Sequence, residues 1–142
     1  MKLAFCGNDC DECPRYLATK SNDEKVLQET AVLWHRLGYR DQVVSPQEIA
    51  CQGCTPSNWC RYGIAKCVLE KQVNNCGECG DYPCPTILET FERTEAFDRE
   101  SKATCSQEDY ARLRKSFFLK KENLDRIHDE RKKRKKTDDQ AK

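Results

Sequence analysis

The chain has 142 residues, 11 of them cysteine, with 25 Lys and Arg against 24 Asp and Glu. A net charge of +1 excludes a strongly basic protein, the length fits one domain of ordinary size, and no apolar run approaches the roughly 18 residues that span a bilayer. Ten cysteines lie between Cys6 and Cys84 and only Cys105 falls beyond, which separates a cysteine-rich part from a charge-rich one.

In chain order, Phe5 to Pro14 carries Cys6, Cys10 and Cys13 among Gly7, Asn8, Asp9 and Asp11, a turn-rich context that predicts a loop wrapped around something. Ser21-Asn22-Asp23-Glu24 has the form of a capping box, and Leu27, Ala31, Trp34 and Leu37 follow at helical spacing with Gly38 as a left-handed stop, which predicts a helix over 22–37. Ser45-Pro46-Gln47-Glu48 predicts a second helix start, limited to a turn or so by Gly53 and Pro56. Residues 62–72 suit a short helix with Ile64, Val68 and Leu69 inward, Cys67 on it and Asn74-Asn75 as its stop. Pro85 and Thr86 open another, with Ile87, Leu88 and Phe91 available to cover the cysteines. From Ser106, capped with Asp109, one longer helix is expected, with Tyr110, Leu113, Phe117, Leu124 and Ile127 along one stripe. It runs into Arg131-Lys132-Lys133-Arg134-Lys135-Lys136. No period-2 strand longer than a few residues occurs. The expected fold is small, metal-stapled and mainly α: a loop-rich cysteine domain with short helices over 1–97, a charged helical extension over 98–136 and a disordered tail over 137–142.

The meaning of the thiols depends on compartment. Met1-Lys2-Leu3-Ala4-Phe5-Cys6-Gly7 holds an apolar stretch far below the roughly 7–15 residues of a signal-peptide core, so a cytoplasmic protein is expected. In reducing cytosol a cysteine-dense chain is expected to bind metal rather than form disulfides. The odd total and the pairs Cys10/Cys13, Cys51/Cys54 and Cys76/Cys79, each separated by two residues, point the same way. Such pairs let two sulfurs converge on one ion from a tight turn. A structural zinc contributes about 10–16 kcal/mol in small domains, against only about 1.5–3 kcal/mol for each fully buried apolar side chain. Metal is therefore expected to fix the first 84 residues.

The candidate ligands are Cys6, Cys10, Cys13, Cys51, Cys54, Cys60, Cys67, Cys76, Cys79 and Cys84. Ten thiols fit two four-cysteine zinc sites with two over, or one zinc and one iron-sulfur cluster; spacing does not partition them. Gly80, after Cys79, is expected at positive φ, turning amides toward the sulfur, and Arg15, Arg61, Lys66 and Lys71 are near enough in sequence to offset thiolate charge. Cys6, Cys10 and Cys13 also have the spacing of radical S-adenosylmethionine enzymes, but those use a partial barrel of about twice this length, and the match is read as coincidence.

The run Cys6-Gly7-Asn8-Asp9-Cys10-Asp11-Glu12-Cys13-Pro14-Arg15-Tyr16-Leu17-Ala18-Thr19, then Trp34, Ile49-Ala50-Cys51-Gln52-Gly53-Cys54, Cys67 and Asn75-Cys76-Gly77-Glu78-Cys79-Gly80-Asp81-Tyr82-Pro83-Cys84 resembles the prokaryotic family called domain of unknown function 3795. The resemblance covers about residues 1–95 and implies a small cysteine-rich prokaryotic protein that binds zinc, with no assigned reaction. One departure is that Tyr62 stands where a second cysteine near Cys60 would align.

Three functions are weighed. The first is a zinc-stapled binding or adaptor module for an unidentified protein partner. The second is an iron-sulfur or thiol redox protein. The third is a nucleic-acid-binding module acting through Arg131, Lys132, Lys133, Arg134, Lys135 and Lys136, with Asp125, Asp129, Glu130, Asp138 and Asp139 blunting that field. His35 and His128 are read as packed or surface imidazoles, Cys105 as an ordinary side chain, and Trp34, Trp59, Tyr62 and Tyr82 as shields over the metal sites. No nucleotide-binding loop, His-Glu-x-x-His or nucleophilic-serine pattern occurs, which leaves enzymatic activity without positive support.

Overall fold

In the computed structural model, which describes residues 1–54 and 62–140 and side chains through 136, five of the described α-helices begin where the sequence offers a proline or a capping side chain. Pro14 opens α1 (Pro14–Ser21), a helix that the loop reading of this region missed; Asn22, at φ +55°, ends it in the left-handed region. Proline suits the first position of a helix because its missing N–H has no partner there in any case. α2 (Glu24–Arg36) starts two residues later than expected. Its cap is Asp23, which accepts from the Lys25 amide at 2.9 Å, because Ser21 is spent closing α1 with its hydroxyl on the Ala18 carbonyl. Ala31 and Trp34 are buried as the spacing predicts, and Gly38 takes φ +80° just past the end.

Ser45 caps the single turn α3 (Pro46–Ile49), accepting from Glu48 N. α4 (Ile64–Glu70) buries Ile64 and Val68 but leaves Leu69 exposed, and the left-handed turn that ends it falls at Gln72, ahead of the asparagines. α5 (Pro85–Thr104) buries Ile87 and Phe91 and exposes Leu88. The expectation puts Leu69 on the face of Val68 and Leu88 on that of Ile87, whereas about 100° separates consecutive residues of an α-helix.

Ser106 caps α6 (Gln107–Leu113) through Asp109 N, as expected. The single long helix is then broken. Arg114–Phe118 forms a π-helical turn, Leu119 leaves helical geometry at φ −107°, ψ 15°, and α7 (Lys120–Gln140) restarts. Leu113 and Leu124 would lie about 20° apart on a straight helix, yet they enter different cores. Leu113 joins Ala31, Trp34 and Ile49; Leu124 joins Ile64, Val68, Tyr82, Ile87 and Phe91. Ala4, Cys10, Cys13 and Tyr16 make a third cluster, and Cys6 packs against both this one and the Leu124 core.

The described residues are mainly helical and loop-rich, with an isolated antiparallel bridge between Leu3 and Asp9 in place of a sheet. The C-terminal helices close the cysteine-rich half. Asp9 N donates to Ser116 O at 2.9 Å, and Gly77 is in such tight contact with α7 that a Cβ there would stand 2.9 Å from the Leu124 carbonyl. Among the described residues no helix is long and apolar enough to cross a membrane.

Candidate functional site

Two of the three cysteine pairs are built on the same local device. Cys10–Glu12 and Cys76–Glu78 are each a 3-10 turn, in which the amide of the second cysteine donates to the carbonyl of the first at 3.1 Å: Cys13 to Cys10, and Cys79 to Cys76. Asp9 caps the first by accepting from Asp11 N. A turn of this kind holds two sulfurs on one side of the backbone.

Around the first turn, distant segments are pinned into place. Cys10 N donates to Lys2 O at 2.8 Å, Cys51 N to Thr19 Oγ1 at 2.8 Å, and Arg15 Nε to the Ile49 carbonyl at 2.7 Å. Gly53, at φ +95°, turns the chain so that Cys54 faces Cys10, whose thiol its backbone lowers. Burial pushes the Cys10 thiol up to about 11, and Cys54, Cys13 and Cys51 push in the same direction. Burial also raises Cys13, and the backbone of Tyr16 and Arg15 in the first turn of α1 pulls it back down. Cys10, Cys13, Cys51 and Cys54 therefore form one electrostatic neighbourhood. Burial lowers the pKa of Arg15, which faces Cys51 and Cys13 with Arg40 beside it.

The second neighbourhood centres on Cys76. Its amide donates to Phe5 O at 2.9 Å, which brings Cys6 alongside. Burial pushes its thiol up to about 12, and Cys6, Cys84, Cys67 and Cys79 add to the effect. The Cys79 sulfur accepts from Asp81 N at 3.4 Å and from Lys71 Nζ at 3.5 Å. Lys71 also pairs with Asp81, and that pairing raises its pKa. Gly80 is not at positive φ, contrary to expectation; the amide of Asp81 reaches the sulfur without it. Cys84 precedes α5, and Cys67 lies exposed on α4.

Nine of the ten expected ligands thus fall into a group of four and a group of five; Cys60, with Trp59 and Arg61, lies outside the described residues. Among the described residues no three His, Cys, Asp or Glu side chains are arranged as a metal site. Cys105 stands apart, packed near Leu113. His35 is exposed with Nδ1 3.1 Å from Arg40 O, and His128 rests against the Tyr82 ring. Tyr62 and Tyr82 pack with Cys76, Cys79 and Cys84, and Trp34 borders the first group; the Tyr62 hydroxyl has no hydrogen-bond partner among the described residues. Residues 131–136 are exposed on α7, where Arg131 and Arg134 edge a cleft of about 430 Å³ shared with Asn75 and Glu78. Thr19 and Asn123, which position the loops, carried no signal beyond their residue type.

No curated protein and no solved structure matches the chain. Residues 2–89 match the family model described as Protein of unknown function (DUF3795), and with more than half its length so matched the chain belongs to that family.

Proposed function

We propose that this protein is a zinc-binding module whose metals are structural and whose surface serves a protein partner. One ion is held by Cys10, Cys13, Cys51 and Cys54, and a second by four of Cys6, Cys67, Cys76, Cys79 and Cys84. The carrying observation is the gathering of thiols from segments up to about 78 residues apart into two groups around matching 3-10 turns. The Asp81 amide on the Cys79 sulfur is what a thiolate site needs to spread its negative charge, and the backbones of Cys54, Tyr16 and Arg15 favour the Cys10 and Cys13 thiolates in the same sense. The donor set suits a thiophilic ion, and loading would draw the sulfurs into a coordination sphere. A closed four-thiolate site leaves no position for substrate, which favours a binding role over catalysis.

One observation favours a second reading: five thiols surround Cys76 where one zinc needs four. An iron-sulfur cluster or a thiol redox couple there would use the surplus. Elemental analysis of native protein purified without oxygen decides between them. Two zinc ions per chain and no colour are expected. Iron with stoichiometric acid-labile sulfide would replace the zinc reading with the cluster, and the absence of any bound metal would overturn both of these and leave the thiol couple.

A further inference from the structure

A cavity of about 540 Å³, with Cys10, Cys13, Cys51 and Cys54 on one wall, opens between the N-terminal loop, α2 and the C-terminal helices. Its size falls within the range of small-ligand sites, about 300–1,000 Å³. One wall is a continuous run of aromatic rings set edge to face: Phe97 to Tyr39 at 5.5 Å between centroids, Tyr39 to Trp34 at 5.8 Å, and Trp34 to Phe117 at 6.1 Å. Such a wall offers ring edges and faces to a flat apolar body.

Apart from the four thiols, the charged side chains of the lining have one sign. Arg15, Arg40, Arg93 and Lys120 supply it, and no Asp or Glu is among the described lining residues. Two of these cations are accounted for by the thiols and their loop: Arg15 is bonded to the Ile49 carbonyl beside Cys51, and Arg40, whose guanidinium donates to Tyr39 O, lies in its field. The other two come from different elements. Arg93 on α5 holds its guanidinium 5.8 Å from the centre of the Phe97 ring, and Lys120 begins α7. An arginine over an aromatic ring at the mouth of an apolar pocket is suited to a carboxylate whose ring continues the stack.

We propose that this cavity binds a small planar organic anion of the aromatic carboxylate class, with its ring against Tyr39, Trp34 and Phe97 and its carboxylate between Arg93 and Lys120. The proposed contacts do not depend on which metal the thiols hold, since they come from Trp34 on α2, Tyr39 beyond its end, Arg93 and Phe97 on α5, and Lys120 at the start of α7.

The test is calorimetric titration of the full-length protein as purified with 2-naphthoate, alongside uncharged 2-naphthamide, with backbone NMR shifts to locate the site. Saturable one-to-one binding is expected, weakened about tenfold or more for the amide and for the Arg93→Ala/Lys120→Ala variant. Arg93→Lys/Lys120→Arg keeps the charge and is expected to retain binding. Lys132→Ala/Lys135→Ala, which removes the same charge from the exposed end of α7, is expected to leave it unchanged. Equal affinity for acid and amide, undiminished binding by the alanine double variant, shifts centred away from Tyr39 and Phe97, or no saturable binding would each overturn the proposal. A variant whose thermal unfolding differs from the parent is replaced by Phe97→Leu, expected to weaken binding through the ring wall alone.

Discussion

Asn123 donates its side-chain amide to the Gly7 carbonyl at 3.0 Å, a buried bond between residues 116 positions apart. It joins the start of α7 to the loop that precedes Cys10. The backbone approach is as close as the bond implies: Gly7 sits at φ +96°, and a Cβ there would stand 2.7 Å from Lys120 O and 2.8 Å from Leu124 Cγ.

Gly7→Ala is therefore expected to destabilise the native protein by about 2–4 kcal/mol, from left-handed strain and overlap together. Asn123→Ala, which leaves the Gly7 carbonyl buried without its donor, is expected to cost about 1–3 kcal/mol. Urea unfolding of the metal-loaded protein measures both. A Gly7→Ala midpoint equal to the parent's would show that α7 does not pack here.

Leu113→Ala and Leu124→Ala each empty a fully buried position and are expected to cost about 2–5 kcal/mol. Because the two leucines serve separate cores, the double variant is expected to show the sum within about 0.5 kcal/mol. Strong coupling in the cycle would mean that the cores are one.

Metal content is expected to follow the two thiol groups. Cys13→Ser and Cys76→Ser should each lose about one ion per chain and the double variant both, whereas Cys105→Ser should lose none. Chelation of the parent is expected to abolish much of the far-UV circular dichroism of the first 84 residues, given the about 10–16 kcal/mol that a structural zinc contributes. Unchanged ellipticity after verified metal removal would contradict a structural role.

Acid sensitivity has an identifiable source in Asp125. Its carboxylate accepts from the Tyr82 hydroxyl at 2.6 Å and from Lys121 Nζ at 2.7 Å. Burial pushes the carboxyl up, but the Lys121 and Tyr82 contacts outweigh it and hold the group below its ordinary 3.8. A depressed carboxyl adds stability that is present above its unfolded value and is lost as pH falls through the folded one. Asp125→Asn is accordingly expected to cost about 1 kcal/mol near neutral pH, with the gap to the parent closing below about pH 4. A gap independent of pH would remove Asp125 from the acid response.

How legible this was in the sequence varies with the range of the cause. Local signals succeeded: Ser45 and Ser106 cap their helices, Pro85 opens one, and Ala31 and Trp34 face inward at the expected spacing. Pro14 failed because a proline after a cysteine suits the end of a loop as well as the start of a helix, and Ser21 failed because its hydroxyl had a competing carbonyl within reach. The grouping of cysteines could not be read at all. It is decided by Cys51 N on Thr19 and Cys76 N on Phe5, contacts that no spacing within the chain encodes. The cavity was hidden for the same reason, since Tyr39, Phe97 and Phe117 come together only after the C-terminal helices fold back.

The π-helical turn at Arg114–Phe118 acts as a phase shifter between the two cores. Substitutions at its exposed Arg114 and Lys115 should be absorbed, whereas Ser116 and Phe117 are held by packing. Removing one residue there would instead let an ordinary helix run through, with the break at Leu119 lost and Leu113 and Leu124 held about 80° apart on one straight element. One of the two cores would then lose its leucine without any leucine having been mutated. Tolerance to insertion and deletion, rather than to substitution, is where this segment's importance would be read.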